Sequence, residues 1–189
     1  MQNADDKNYF SDESLVEHTV SSKTEYRGRL LQVKEDRVRL PDGSEANREY
    51  IVHPGAVAII ALTDDGKIIM ERQYRYPLHQ DFIEIPAGKI DEGEEDMVTA
   101  QRELQEETGY AASRWRHLIT THPCIGYSNE RIEFFLAEGL TLHKHQREHG
   151  EFLDVCAMPL QQALAWIREG KITDTKTITG LLWYEKFGR

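Results

Sequence analysis

Only two cysteines occur, Cys124 and Cys156, and they form neither a CxxC pair nor a spaced cluster with histidine. That excludes a disulfide framework and a thiolate metal centre, and leaves two reduced thiols or a single bridge. No run of about 18 apolar residues is present, so no membrane-spanning helix is expected. The opening MQNADDKNYFSDESLVEH is acidic and polar, without the basic start and apolar centre of a secretory signal. Positive charge is also short. Against 33 Asp and Glu stand 23 Lys and Arg, for a net charge of −10 over 189 residues. Broad nucleic-acid binding needs a basic face and is not expected. Internal repeats, low-complexity tracts and Gly/Ser linkers are missing, as is the DxDxDG loop of a calcium-binding helix pair. The expectation is a cytoplasmic protein without membrane attachment, built mainly as one domain.

What is present reads as strands around one acidic helix. Residues 1–17 are polar and aperiodic and are expected to form a flexible arm. Residues 18–54 read as an antiparallel β-meander. Apolar and polar residues alternate over 23–33 and 34–40, Pro41-Asp42-Gly43 turns the chain, and 46–52 returns. Residues 55–189 form the main domain. AVAIIAL at 56–62 is almost wholly apolar and predicts a central strand buried on both faces. Asp64-Asp65-Gly66 then turns into a strand over 67–74, and DFIEIP at 81–86 is a short strand. Further strands are expected at 115–121, 131–137 and 152–158, with loops at 122–129 and 143–151. An amphipathic helix over 160–169 should stop at Gly170, and Thr173 or Asp174 should cap a last helix running to about Phe187. Such an order makes an α/β layer fold.

Between these strands lies GKIDEGEEDMVTAQRELQEETGY, residues 88–110. Met97, Ala100 and Leu104 recur at helical spacing and suit a core-facing stripe. Glu103, Glu106 and Glu107 are three and four apart, so they are neighbours on one helix face. Like charges so placed repel by a few tenths of a kcal/mol per pair. One explanation is a solvated acidic face, the other a hard cation that wants carboxylate oxygens.

The spacing decides for the second. The stretch is similar to the Nudix box, GX5EX7REUXEEXGU with U aliphatic: Gly88, Glu94 and Arg102-Glu103-Leu104-Gln105-Glu106-Glu107-Thr108-Gly109 all match. The final aliphatic position holds Tyr110. The resemblance implies a Nudix-type α/β/α sandwich with a mixed β-sheet, here with an N-terminal antiparallel β extension. It further implies that Glu103 and Glu107 are the principal ligands of Mg²⁺, or of Mn²⁺ as the alternative. Glu106 would share the metals, the Ala87 carbonyl would assist, and Arg102 with Glu94 would orient the carboxylates.

The flanks narrow the branch. ERQYRYP at 71–77, EIPAGK at 84–89, Pro123 beyond the box, Gly126 with Ser128 to Arg131, and DTKT at 174–177 together resemble the ADP-ribose pyrophosphatases. That branch hydrolyses ADP-ribose to AMP and ribose 5-phosphate. Arg72 and Arg75, three apart at the end of a strand, can reach a phosphate or the terminal ribose; by the resemblance Glu130 binds the terminal ribose, and Arg48 and Tyr26 help hold the adenine. The N-terminal region of the branch crosses to a partner subunit, which implies a homodimer. The branch takes a general base or an additional metal ligand from a downstream loop, here 143–151, with Glu151 first and Glu148 second; His143, His145 and His149 in that loop are read as solvated, with a histidine metal site as the minor alternative. Taken on composition alone the arginines could be solubilising, though bidentate Arg–phosphate geometry favours function, and a bare Glu130 at a strand start would be a surface residue. The rival activities are hydrolysis of another nucleoside diphosphate derivative, such as GDP-mannose or NADH, and non-catalytic sensing of a nucleotide sugar.

Overall fold

In the computed structural model, residues 14–143 and 152–188 are described, and their contacts divide into two compact units meeting at Val52 and His53.

The N-terminal unit is a three-stranded antiparallel sheet of β1 (His18–Arg27), β2 (Gln32–Arg39) and β3 (Glu45–Val52), in that order. The alternating stretch at 23–33 is therefore not one strand. It contains the end of β1 and a tight turn in which the Gly28 amide donates to the Leu31 carbonyl at 2.8 Å. A Cβ at Gly28 would run into the Tyr26 ring, so the sequence turns where a side chain does not fit. Every residue of β1 is exposed, including Val20 and Tyr26.

The larger unit is layered about β4 (Ala56–Ala61), whose residues from Val57 to Ala61 are fully buried. Strand alternation sends them to opposite sides. Val57, Ile59 and Ala61 pack with Ala100 and Leu104 of α1 (Asp96–Thr108). Ala58 and Ile60 pack with Leu160 and Ala163 of α2 (Leu160–Arg168) and Leu181 of α3 (Thr175–Trp183). Each buried isoleucine stabilises by roughly 1.5–3 kcal/mol. The result is a sheet with helices on both faces, as the resemblance implied.

The central sheet is mixed. It runs β7 (Ala87–Lys89), β4, β9 (Ile132–Leu142) and β8 (Tyr110–Thr121), with β4 and β9 parallel and the other pairs antiparallel. A second sheet joins β10 (Leu153–Pro159), β5 (Lys67–Arg75) and β6 (Gln80–Glu84), all antiparallel. Three boundaries depart from the sequence reading. The strand β7 was not foreseen, β8 begins directly after Gly109 rather than near Trp115, and β9 continues through Gly139 to Leu142. The C-terminal signals hold. Gly170 follows α2 with φ of 71°, and the Asp174 carboxylate accepts the Thr177 amide at 2.9 Å to cap α3.

Candidate active site

Pro86 places the chain where the acidic helix can use it. The Ile59 amide donates to the Pro86 carbonyl at 2.8 Å, and Val57 lies opposite Gly88. Strand β7 is thereby fixed along the edge of the central sheet, beneath α1. The Ala87 amide donates to Glu107 Oε2 at 3.0 Å. Glu103 lies so close over β7 that a Cβ on Gly88 would overlap its carboxylate. Glycine is thus required here for close approach.

Around this contact is a cavity of about 240 Å³, lined by Gln73, Arg75, Ala87, Gly88, Lys89, Asp91, Arg102, Glu103, Glu106 and Glu107. Arg102 stands among the carboxylates. Its guanidinium donates to Glu94 Oε1 and Oε2 at 3.1 and 2.9 Å, to Glu103 Oε1 at 2.8 Å and to Glu106 Oε2 at 3.0 Å. Hydrogen bonds from Arg102 and then from Thr99 push the Glu94 carboxyl down to about 2. The Glu94 bond likewise holds the Arg102 guanidinium far above any physiological titration. Glu94 itself is tied to the first turn of α1, because Thr99 Oγ1 donates to Glu94 Oε2 at 2.8 Å.

Among the described residues no group of His, Cys, Asp or Glu is already gathered closely enough to hold a metal ion. The hydrogen bonds explain why: Glu103 and Glu106 are turned to Arg102, and Glu107 to the Ala87 amide. The donor set nonetheless fits a hard divalent cation. Its oxygens come from Glu103, Glu106, Glu107 and Ala87, and one guanidinium leaves most of the carboxylate charge unbalanced.

Facing the helix across the cavity, Gln73 and Arg75 project from β5. The Arg75 guanidinium makes a paired contact with Glu84, Nε to Oε1 and Nη2 to Oε2, each at 2.7 Å. Glu84 is buried, 3% exposed, and also receives Lys176. Lys176 in turn donates to Asp174 at 2.9 Å. Burial raises the Glu84 carboxyl, but the hydrogen bonds and charges of Arg75 and Lys176 outweigh it and leave it below its ordinary value. The Ile85 amide donates to Thr177 Oγ1 at 3.0 Å, so the DTKT stretch docks α3 onto the chain that enters the cleft.

The structure separates residues that sequence spacing had grouped. Arg72 and Arg75 are three apart on a strand and therefore point to opposite faces. Arg72 pairs with Asp154 on β10, and with Tyr74 and Phe152 lines a different hollow of about 270 Å³. Arg75 alone of the two faces the carboxylates. Glu130 is half-buried, 3.9 Å from His53 Nδ1, and does not line the cleft. In the N-terminal unit, Arg48 is paired with Glu17 at 2.6 and 2.9 Å, and Tyr26 is exposed. Glu148, Glu151, His145 and His149 lie outside the described residues; His143 is exposed at the end of β9. The reading along the sequence missed Gln73, Lys89 and Asp91. Gln73 was available by alternation from Arg75, and the other two by nearness to Gly88.

A NUDIX domain model matches residues 52–178, and a nucleoside diphosphate sugar hydrolase N-terminal domain model matches residues 17–51. The chain is 40% identical over 166 residues to the ADP-ribose pyrophosphatase of Bacillus subtilis, covering 87% of this chain and 90% of that one. It is 39% identical over 171 residues to the methanol dehydrogenase activator of Bacillus methanolicus, covering 89% and 92%. A crystal structure of an ADP compounds hydrolase superposes with a TM-score of 0.82 at 22% identity, over 92% of this chain and 95% of that one, a likeness of fold.

Proposed function

The chain belongs to the Nudix hydrolase family, and from that premise we propose that it hydrolyses the diphosphate of ADP-ribose to AMP and ribose 5-phosphate, with Mg²⁺ as its cofactor and Mn²⁺ as a substitute. The observation that carries this reading is the charge of the cleft: Glu103, Glu106 and Glu107 on one wall, Arg75 on the other, and an edge strand without a side chain at Gly88 between them.

Glu103, Glu107 and Glu106 would hold the metal together with the Ala87 carbonyl. When bound, Mg²⁺ supplies neutralisation of the diphosphate oxygens and a more acidic water. Arg102 keeps the carboxylates of Glu103 and Glu106 on its own side, and Glu94 holds Arg102 in turn. Arg75, fixed by Glu84, offers a planar cation to the phosphate or ribose. Arg72 faces elsewhere and has no part in the cleft. Glu151, or else Glu148, would take the proton of the attacking water. Glu130, Arg48 and Tyr26 remain assigned to ribose and adenine. The last two lie in the N-terminal unit, whose exposed Val20, Tyr26, Leu30 and Leu31 suit burial against a second copy in a homodimer. The described residues include no helix long and apolar enough to cross a membrane; a cytoplasmic location is part of the same proposal.

The test is a panel of ADP-ribose, GDP-mannose and NADH, scored by kcat/KM with Mg²⁺ and with excess chelator. ADP-ribose should lead, giving AMP and ribose 5-phosphate, and chelator should stop turnover. A higher kcat/KM on GDP-mannose or NADH would reassign the substrate. No cleavage of any compound would leave a nucleotide-sugar sensor.

A further inference from the structure

Helix α1 carries the acidic face, yet its N-cap residue, Glu95, makes no side-chain capping bond. The first turn is held from outside instead. Asp96 receives both arms of Arg131, Nη1 to Oδ2 at 3.0 Å and Nη2 to Oδ1 at 2.9 Å. Arg131 Nη1 also donates to Glu133 Oε1 at 2.6 Å. Glu133, on β9, is 7% exposed, and its other oxygen receives Thr120 Oγ1 at 2.6 Å and lies 2.7 Å from His117 Nε2, both on β8. The carboxyl is raised by burial and lowered more strongly by Thr120, His117 and Arg131, so it stays ionised. The Arg131 stem crosses Gly55, whose φ of 103° suits glycine and where a Cβ would crowd Ile90 and Arg131.

These bonds make a rigid strut. It starts in the central sheet at β8 and β9, passes through a nearly buried carboxylate and a two-armed arginine, and ends on the first turn of α1. Glu107, bonded to the Ala87 amide, pins the other end of the helix. Isolated surface ion pairs contribute little, but a two-armed arginine within a network is the exception.

We propose that Arg131 is a positioning residue for the metal site. Held by Glu133, it sets the seat of α1 through Asp96, and so the placement of Glu103, Glu106 and Glu107 over Gly88. No residue of the strut lines the cleft, and none matches a specified position of the acidic motif. The inference rests on the reading of the cleft as a Mg²⁺-dependent hydrolytic site.

The experiment compares the full-length wild type with Arg131→Gln, Arg131→Lys and Asp96→Asn. It reads the Mg²⁺ concentration for half-maximal activation, kcat, and amide hydrogen exchange in the first turns of α1. Arg131→Gln should raise the Mg²⁺ requirement and lower kcat, each about tenfold, the scale seen when supports of metal ligands are removed. Exchange at α1 should quicken selectively. Asp96→Asn should reproduce the effect, and Arg131→Lys, which keeps one donor arm, should recover part of it. Unchanged kcat and Mg²⁺ requirement in Arg131→Gln and Asp96→Asn would overturn the inference, whatever their melting temperatures. Inactive wild type with faster α1 exchange in the variants would sink the hydrolytic reading while leaving the strut.

Discussion

The cluster behind Arg75 and the α1 wall of the cleft use the same kinds of side chain and balance them differently. Behind the β5 wall, Arg75 and Lys176 meet Glu84 and Asp174, two cations for two carboxylates. On the α1 wall, Asp91, Glu94, Glu103, Glu106 and Glu107 stand around Arg102, with Lys89 beside them, five carboxylates to two cations. A balanced cluster around a buried carboxylate is a clamp, complete as it stands. An unbalanced one, over a glycine and facing a cationic wall, has room for further positive charge. The difference separates a part that holds the site together from a part that does its chemistry.

The largest effect should come from the unbalanced wall. Glu107→Gln, and likewise Glu103→Gln, should lower kcat by about a hundredfold or more with little loss of folding stability. Full Mg²⁺-dependent turnover in either variant would break the contrast. In the balanced cluster, Glu84→Gln should behave the opposite way. It strands Arg75 and Lys176 beside a neutral amide and should cost about 3 kcal/mol in urea unfolding; a cost under about 1 kcal/mol would show that the cluster is no clamp. The two arginines of β5 should differ next. Arg75→Ala should raise KM about tenfold, the worth of one charge-assisted pair, whereas Arg72→Ala should leave KM unchanged. Equal effects would mean that strand alternation does not sort them. The smallest effect lies in acid. Glu94 has its carboxyl at about 2 against an ordinary 4.5. A carboxyl so depressed contributes stability above pH 4.5 and loses it as pH falls toward 2. Glu94→Gln should therefore show a shallower fall of the urea midpoint across that window than the wild type.

The parts legible in the sequence are those whose cause is local. The apolar run at 56–62 announced a strand covered on both sides, and the glutamate spacing announced the acidic face. Asp174 as a cap and Gly170 as a stop follow from the chemistry of helix ends. What escaped reading depends on distant chain. Strand β7 is three residues of mixed character, made a strand only by pairing with β4. The start of β8, Tyr110-Ala111-Ala112, and the end of β9, Glu138-Gly139-Leu140-Thr141-Leu142, hold each other, Tyr110 opposite Leu142, although their alanines and glycine weaken the strand signal of each alone. Arg72 and Arg75 were grouped because both are arginines near a strand end, and a period of two would have parted them. Asp96 and Arg131 carry no local sign of their bond, since β8 and a loop intervene.

The parallel pairing of β4 with β9, Ala56 opposite Ile132, has a kinetic meaning. Everything that forms the cleft, from β5 through α1, lies in the chain looped between these two strands. Closing so long a loop costs entropy before any contact repays it, and long-range pairings of this kind form slowly. The hairpins and the helix can gather early by local contacts. β7 pairs with β4 on the side away from β9, and the central sheet that carries this edge is whole only after β9 has docked on the other side of β4, so recovered turnover should be among the last signals to appear as the chain refolds.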